Sequence, residues 1–279
     1  MTKRTVLITG CSSGFGKLTA KTFQANGWNV IATMRSPEKD TELTALKNVT
    51  VERLDVTDKE SIDDAISATL KQFGRIDALI NNAGYGGHAM FEQFEYAQII
   101  KMFETNVFGP MNLAAAVLPH MRRQRSGAIV NVTSMAGVIG LPFASTYSAS
   151  KYAMEGWSEG LALEYAPFNV KVRTVQPGAF GTNFNAATDN NFAAGDTEIQ
   201  ERAQLMATHF VGLTQQMQEI SGKVADPQDV AELIYSCATE DTPIHNPIGA
   251  DAAMLMEMKA SMPHQTFLGK MAEMLVPAV

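Results

Sequence analysis

Only two cysteines, Cys11 and Cys237, occur among the 279 residues. Two are too few for a disulfide framework or a cysteine-rich metal site. The five histidines, His88, His120, His209, His245 and His264, follow no metal-ligand spacing, so no metal is expected and each reads as a packed or surface residue. Long apolar runs are also missing. No stretch approaches the ~20 apolar residues that a spanning helix needs. The run Val6-Leu7-Ile8 that follows the basic start stops at Thr9-Gly10, too short for a signal-peptide core. Positive charge is in deficit, with 22 Lys and Arg against 29 Asp and Glu and a net charge of -7. That balance argues against nucleic acid or an anionic membrane as the main partner. The expectation is a cytoplasmic protein acting on a small molecule.

What the chain does have is an alternation of apolar, β-branched runs with longer helical patterns. Thr5–Thr9, Asn29–Thr33, Val49–Leu54, Ile76–Asn81, Ala128–Thr133 and Val170–Val175 read as strands. Each is apolar throughout rather than alternating, as befits a parallel strand covered on both faces. Helices are expected near Phe15–Asn26, Lys59–Phe73, Tyr96–Arg123 and Ser145–Ala166, and another after Asp226 as N-cap with Pro227 at its first position. This succession predicts an α/β fold with a doubly wound parallel sheet. Residues 1–250 form the expected nucleotide-binding and catalytic domain. Within it, about 183–222, rich in Asn183, Asn185, Asp189, Asn190 and Asn191, interrupts the rhythm and reads as a lid over the ligand edge. Residues 251–279 form a C-terminal extension with six methionines, packed on the same domain or on a partner subunit.

Thr9-Gly10-Cys11-Ser12-Ser13-Gly14-Phe15-Gly16 follows the first strand and opens the first helix. Glycines there permit a tight turn, close backbone approach to a pyrophosphate and close helix–strand packing, and the helix N-terminus faces the phosphates. The second strand ends in Met34-Arg35-Ser36, with no carboxylate to hold a ribose 2′-hydroxyl. Arg35, with Ser13 as an added donor, favours a 2′-phosphate and hence NADP over NAD. Asp55 and Val56 end the third strand, where Asp55 can accept from an adenine amine. Asn81-Asn82-Ala83-Gly84 closes the fourth strand; its amides tie loops together and Gly84 leaves room for a ribose. Tyr147 and Lys151 stand four residues apart, on one helix face. A lysine cation beside a phenol favours the phenolate and is expected to pull the tyrosine pKa down from about 10.

Taken in order, Thr9-Gly10-x-x-x-Gly14-x-Gly16, Asn81-Asn82-Ala83-Gly84, Asn106, Ser134, Tyr147-x-x-x-Lys151 and Pro177-Gly178 resemble the short-chain dehydrogenase/reductase family, in its single-domain branch with a Rossmann fold. The run Ile8-Thr9-Gly10-Cys11-Ser12-Ser13-Gly14-Phe15-Gly16 and the strand end Thr33-Met34-Arg35 look closest to its steroid- and retinol-dehydrogenase-like members. The resemblance implies Tyr147 as general acid in carbonyl reduction and base in alcohol oxidation. Lys151 would lower the Tyr147 pKa and hold the nicotinamide ribose. Ser134 would hold the substrate oxygen, and Asn106 would anchor a water-linked proton path to Lys151. Pro177 and Gly178 would shape the wall beside the nicotinamide, with Thr182 near its carboxamide or the phosphates. Phe180 departs from the smaller branched residue usual in the family, which leaves that side-chain contact open while a backbone contact survives. The family implies a homodimer or homotetramer built on the helices of Asn106 and Tyr147. Two other readings share this fold: a nucleotide-sensing regulator without turnover, and an epimerase or dehydratase. The first has no need of Ser134, Tyr147 and Lys151 together; the second usually brings a different glycine loop and a larger substrate domain.

Overall fold

The fold is taken from a computed structural model that describes residues 3–182, 184, 189–190, 193–221 and 225–277. In chain order the elements are β1 (Thr5–Ile8), α1 (Gly14–Ala25), β2 (Asn29–Met34), β3 (Val49–Arg53), α2 (Lys59–Phe73), β4 (Ala78–Asn81), β5 (Gly87–His88), α3 (Tyr96–Phe103), α4 (Gly109–Gln124), β6 (Gly127–Val132), α5 (Ser145–Tyr165), β7 (Val170–Pro177), β8 (Asp189–Asn190), α6 (Thr197–Ser221), α7 (Pro227–Thr239), β9 (His245–Ile248), α8 (Ala250–Ala260) and α9 (His264–Leu275). Seven strands form one parallel sheet in the order β3-β2-β1-β4-β6-β7-β9. The chain winds outward from β1 to β3, then returns to lay β4 on the other side of β1. That reversal opens a crevice at the C-terminal ends of β1 and β4, the place where such sheets bind ligands.

β1, β2, β4 and β6 are largely apolar because both faces are covered; the expectation of runs apolar throughout fails at β3, an edge strand ending Glu52-Arg53, and at β7, which carries Lys171 and Arg173. Leu7, Ile31, Leu79, Ile129 and Val172 point to one side, into a core completed by α2, α4 and α5. Their neighbours Val6, Ile8, Val30, Ala32, Ile80 and Val130 point to the other, against Phe23 of α1 and Val230 and Ile234 of α7. Each such buried side chain contributes roughly 1.5–3 kcal/mol over its exposed state. Helix ends follow local chemistry. Asp58 caps α2 by accepting from the backbone N–H of Glu60 (3.0 Å) and Ser61 (3.3 Å), and Gly74 ends it in the left-handed conformation. Asp226 caps α7 through the N–H of Gln228 at 2.9 Å, with Pro227 next in line.

The expected elements differ from the structure at two places. The single helix expected over Tyr96–Arg123 is broken by a π-helical turn, Glu104–Phe108, between α3 and α4. The seventh strand, β9, was not expected: His245-Asn246-Pro247-Ile248 is polar and contains a proline, which only an edge strand tolerates. In the region expected to be a lid, the described residues hold the short β8, which pairs with β5, and the long helix α6; Asn183, Asn185 and Asn191 lie outside the described residues. The C-terminal extension folds into α8 and α9. Their Leu255, Phe267, Met271 and Leu275 pack on Ile139, with Met256, Met258, Met262 and Met274 around them.

Candidate active site

The glycine loop sits at the mouth of the crevice and is held there by its neighbours. The Thr9 hydroxyl accepts from the N–H of Asn82 and of Ala83, both at 3.0 Å. The Asn82 side-chain amide donates to the carbonyls of Thr9 (2.8 Å) and Gly10 (3.2 Å). This stitching leaves no volume for side chains: a Cβ on Gly16 would stand 2.3 Å from the Gly10 carbonyl oxygen, and one on Gly10 would stand 2.9 Å from the Ala83 backbone. Gly10 and Gly14 also have positive φ, which favours glycine. Ser13 is the N-cap of α1 but makes no side-chain cap hydrogen bond. The N–H groups of that first turn therefore suit an anion, with Ser12, Ser13 and Phe15 around them. Cys11 is buried inside the loop, its Sγ donating to the Ile8 carbonyl, and burial pushes the thiol up to about 12. It is a packing residue.

Arg35 is exposed at the end of β2. Asp55 and Val56 follow β3 close by. Burial raises the Asp55 carboxyl, but hydrogen bonds from the Thr57 N–H and hydroxyl and the charges of Arg35 and Arg53 outweigh it and hold the group below its ordinary value. One Asp55 oxygen, Oδ1, takes both Thr57 bonds. Val56 is buried against Gly109, the first residue of α4.

Asn106, Ser134, Tyr147 and Lys151 meet at the end of β4 and β6. Asn106 lies in the π-helical turn, a feature often found at functional sites. Its amide clamps Tyr85, accepting from the N–H at 3.0 Å and donating to the carbonyl at 2.9 Å, and donates to the Ser150 hydroxyl at 3.2 Å. Gly84 lies between Asn106 and Lys151: a Cβ built there would stand 3.0 Å from Asn106 Oδ1 and 3.7 Å from Lys151 Nζ. Ser134 caps the 3₁₀ turn Met135–Gly137 through the Ala136 N–H (3.1 Å) and is hydrogen-bonded to the Tyr147 phenol.

The electrostatics correct one expectation. Lys151 does not pull the Tyr147 pKa down. Burial pushes the phenol up to about 12, against the opposing Ser134 hydrogen bond. Lys151 shares that buried environment and is itself pushed down to about 8, with Glu155 acting the other way. Its Nζ donates to the Val132 carbonyl at 3.0 Å and stands 5.7 Å from the centre of the Tyr147 ring. Desolvation of the two groups outweighs their attraction, and Tyr147 holds its proton at neutral pH.

Pro177 ends β7 beside this group. A contact with no local sequence signal secures the next residues: the Asp251 carboxylate of α8 accepts from the Ala179 N–H at 2.6 Å and fills the space a Cβ on Gly178 would need. Phe180 turns away to pack edge-on against Phe15, ring centres 5.6 Å apart. Thr182 faces Gly14, and its hydroxyl accepts from the Phe184 N–H at 3.3 Å. Beyond Tyr147 the crevice is apolar. The Tyr147 ring is 5.8 Å from that of Phe184 and packs with Tyr85, Phe94 and Met102. Phe143 stacks between His88 and Phe210 of α6, with Met206 and Met90 beside it. His209 is turned outward to the Met274 carbonyl.

Residues 4–193 match the family described as short chain dehydrogenase. The chain is 44% identical over 190 residues to a 3-ketodihydrosphingosine reductase of Bacteroides thetaiotaomicron, covering 68% of each chain. It is 36% identical over 240 residues to retinol dehydrogenase 8 of Bos taurus, covering 83% of this chain and 76% of that one. The structure of ElxO with NADP bound superposes with a TM-score of 0.73 at 30% identity, over 91% of this chain and 100% of that one.

Proposed function

The chain belongs to the short-chain dehydrogenase family and is an oxidoreductase, and we propose that it uses NADPH to reduce the carbonyl of an apolar substrate. The observation that carries this reading is the buried Tyr147 phenol, hydrogen-bonded to Ser134 and protonated far above neutrality, beside aromatic and methionine side chains. A group that keeps its proton is suited to give one to a developing alkoxide. Ser134 holds the substrate oxygen and stabilises charge there. Lys151 and Asn106, facing each other across Gly84, carry the replacement proton toward Tyr147, and Lys151 also holds the nicotinamide ribose.

Bound NADPH supplies the hydride. The glycine cradle of Gly10, Ser12, Ser13, Gly14, Phe15 and Gly16 fits its pyrophosphate, because no side chain fills the space and the α1 N-terminus is uncapped by its own N-cap residue. Asp55 and Val56 border the adenine; Asn82, Ala83 and Gly84 border the ribose; Pro177, Gly178, Phe180 through its backbone, and Thr182 border the nicotinamide. Arg35 selects the 2′-phosphate, in keeping with the NADP carried by ElxO. The relatives named for 3-ketodihydrosphingosine and for retinol agree with a lipophilic carbonyl or alcohol as substrate. The exposed apolar surface of Phe108 in the π-helical turn and of Tyr152 and Leu163 on α5 supports assembly of a homodimer or homotetramer on the helices of Asn106 and Tyr147.

Arg35→Ala tests the cofactor assignment. Unmutated protein binds NADPH more tightly than NADH, and the substitution weakens NADPH by about 10- to 100-fold, the worth of a charge-assisted bond, while NADH is little changed. Equal affinities of the unmutated protein for the two nucleotides, by fluorescence titration, contradict it.

A further inference from the structure

Beneath the Tyr147–Lys151 pair lies a cluster of charged groups that the reaction as described does not use. Tyr147, Lys151, Glu155 and Glu159 follow one another at four-residue intervals along α5 and so form a single row. Glu155 is buried, and its carboxylate accepts four hydrogen bonds from three strands or strand ends. The Thr133 hydroxyl donates to Oε1. Oε2 takes the Thr174 hydroxyl at 3.0 Å, the Gln176 amide at 2.9 Å and His245 Nδ1 at 2.9 Å. Thr133 immediately precedes Ser134, and Gln176 immediately precedes Pro177. Gly137, in the turn that Ser134 caps, rests against Glu155 Cγ and the Lys151 backbone. One carboxylate thus ties the helix of Tyr147 and Lys151 to the strand ends that carry Ser134 and Pro177.

The same carboxylate is linked to solvent. His245 of β9 is part exposed and sits between two acids, Nδ1 on Glu155 and Nε2 on Glu159, each at 2.9 Å. A neutral imidazole has one N–H, so the ring serves both carboxylates as donor only when both nitrogens carry protons. The charged groups facing Glu155 are therefore Lys151 and Glu159 on its own helix and His245 from β9; its partners from β7 and the end of β6, Thr133, Thr174 and Gln176, are uncharged. Lys151 in turn faces Tyr147, Asn106 and Ser134, and Glu155 is the acid that acts on it.

We propose that Glu155 is a positioning residue of the reaction, the buried counter-charge that, bridged to the surface by His245 and Glu159, sets the pH range in which the Tyr147–Lys151 pair works. The inference rests on the reading of that pair as the proton relay. A negative charge one helical turn from Lys151 and two from Tyr147 makes both members of the pair hold their protons more tightly, so its removal acts on both in the same direction. Glu155→Gln keeps the shape and an acceptor for Thr133 or Thr174 but loses the charge. The alkaline limb of kcat/KM for carbonyl reduction then moves down by about one pH unit, and the acid limb of alcohol oxidation moves down with it. Glu155→Asp, which keeps the charge but shortens the reach, retains the wild-type limb with a lower kcat. NADPH affinity in Glu155→Gln stays within about threefold of wild type, since the group touches no nucleotide position. A purely structural role lowers the rate at every pH and leaves the limbs in place; superimposable profiles of wild type and Glu155→Gln overturn the proposal. Should Glu155→Gln fail to accumulate as folded protein, His245→Lys decides: a permanent cation placed against Glu155 opposes its charge and moves the limb to lower pH, and an unmoved limb overturns the proposal. Tyr147→Phe assayed alongside separates the two failures. Turnover surviving in Tyr147→Phe removes the relay itself, whereas an inactive Tyr147→Phe beside an unshifted Glu155→Gln removes only the role of Glu155.

Discussion

The two ends of the crevice are built on opposite principles. At the glycine loop the frame is fixed by hydrogen bonds and has no room for side chains: Thr9, Asn82 and Ala83 are cross-bonded, and a Cβ on Gly10 or Gly16 would meet backbone, while the first-turn N–H groups of α1 stay open to a ligand. At the far end, α6 packs on Phe143 and α8 and α9 pack on Ile139, with methionines and aromatic rings that meet through apolar contact. The first end is specified by geometry and accepts one kind of ligand. The second is specified by volume and polarity, and adaptable side chains allow it to fit many shapes. The difference teaches why the reaction is written in a few residues and the substrate is not.

Glycine substitutions break or sharpen this contrast most strongly. Gly16→Ala drives a methyl group into the Gly10 carbonyl and the Asn82 amide, 2.3 and 2.5 Å away. Overpacking of about 1–3 kcal/mol lowers Tm by several degrees, and nucleotide binding falls by more than about 100-fold because the cradle itself is displaced. Gly212→Ala in α6 meets nothing within 4 Å among the described residues. It leaves NADPH binding unchanged and raises stability by up to ~1 kcal/mol through helix propensity. Thermal melts and NADPH titrations check both; similar outcomes for the two glycines contradict the contrast. A smaller effect is expected of Phe210→Leu, which removes the stacking on Phe143. The loss of ~0.5–1.5 kcal/mol moves Tm by about 1–3 °C. NADPH affinity stays the same, while the ratio of kcat/KM for long-chain to short-chain ketones changes. A changed cofactor affinity with an unchanged ratio contradicts the assignment of this end to the substrate.

Legibility in the sequence divides along the same line. The α2 helix is readable to the residue, because Asp58 and Gly74 mark its ends and its burial repeats with the helical period. The strands β1, β2, β4 and β6 are readable because covered parallel strands are largely apolar. β9 is not, since a proline-containing edge strand has no apolar run. The π-helical turn at Asn106 leaves no mark in a helical pattern that runs on through it. The four residues Asn106, Ser134, Tyr147 and Lys151 were identifiable from order and spacing, and the fold brings them together. Their electrostatics were not. The spacing of Tyr147 and Lys151 shows two groups able to attract one another, but the burial that raises the phenol and lowers the lysine comes from β6, the π-helical turn and the apolar side chains around the ring. Asp251 and His245 were missed for a related reason. Asp251 is 72 residues from Ala179 and His245 is 90 from Glu155, and nothing local announces either pairing. His245 read as an ordinary packed or surface histidine because its acidic partners lie on a distant helix.

The central claim, that Tyr147 is the proton donor of an NADPH-dependent carbonyl reduction, is tested most directly by Tyr147→Phe. NADPH consumption followed by absorbance with a long-chain ketone is compared with NADPH affinity in the same preparation. The account predicts turnover in the wild type, a fall of at least about 10²-fold in the variant, and a nucleotide affinity within about threefold of wild type, since the ring remains and one hydroxyl is lost. Turnover in Tyr147→Phe close to that of the wild type would contradict it.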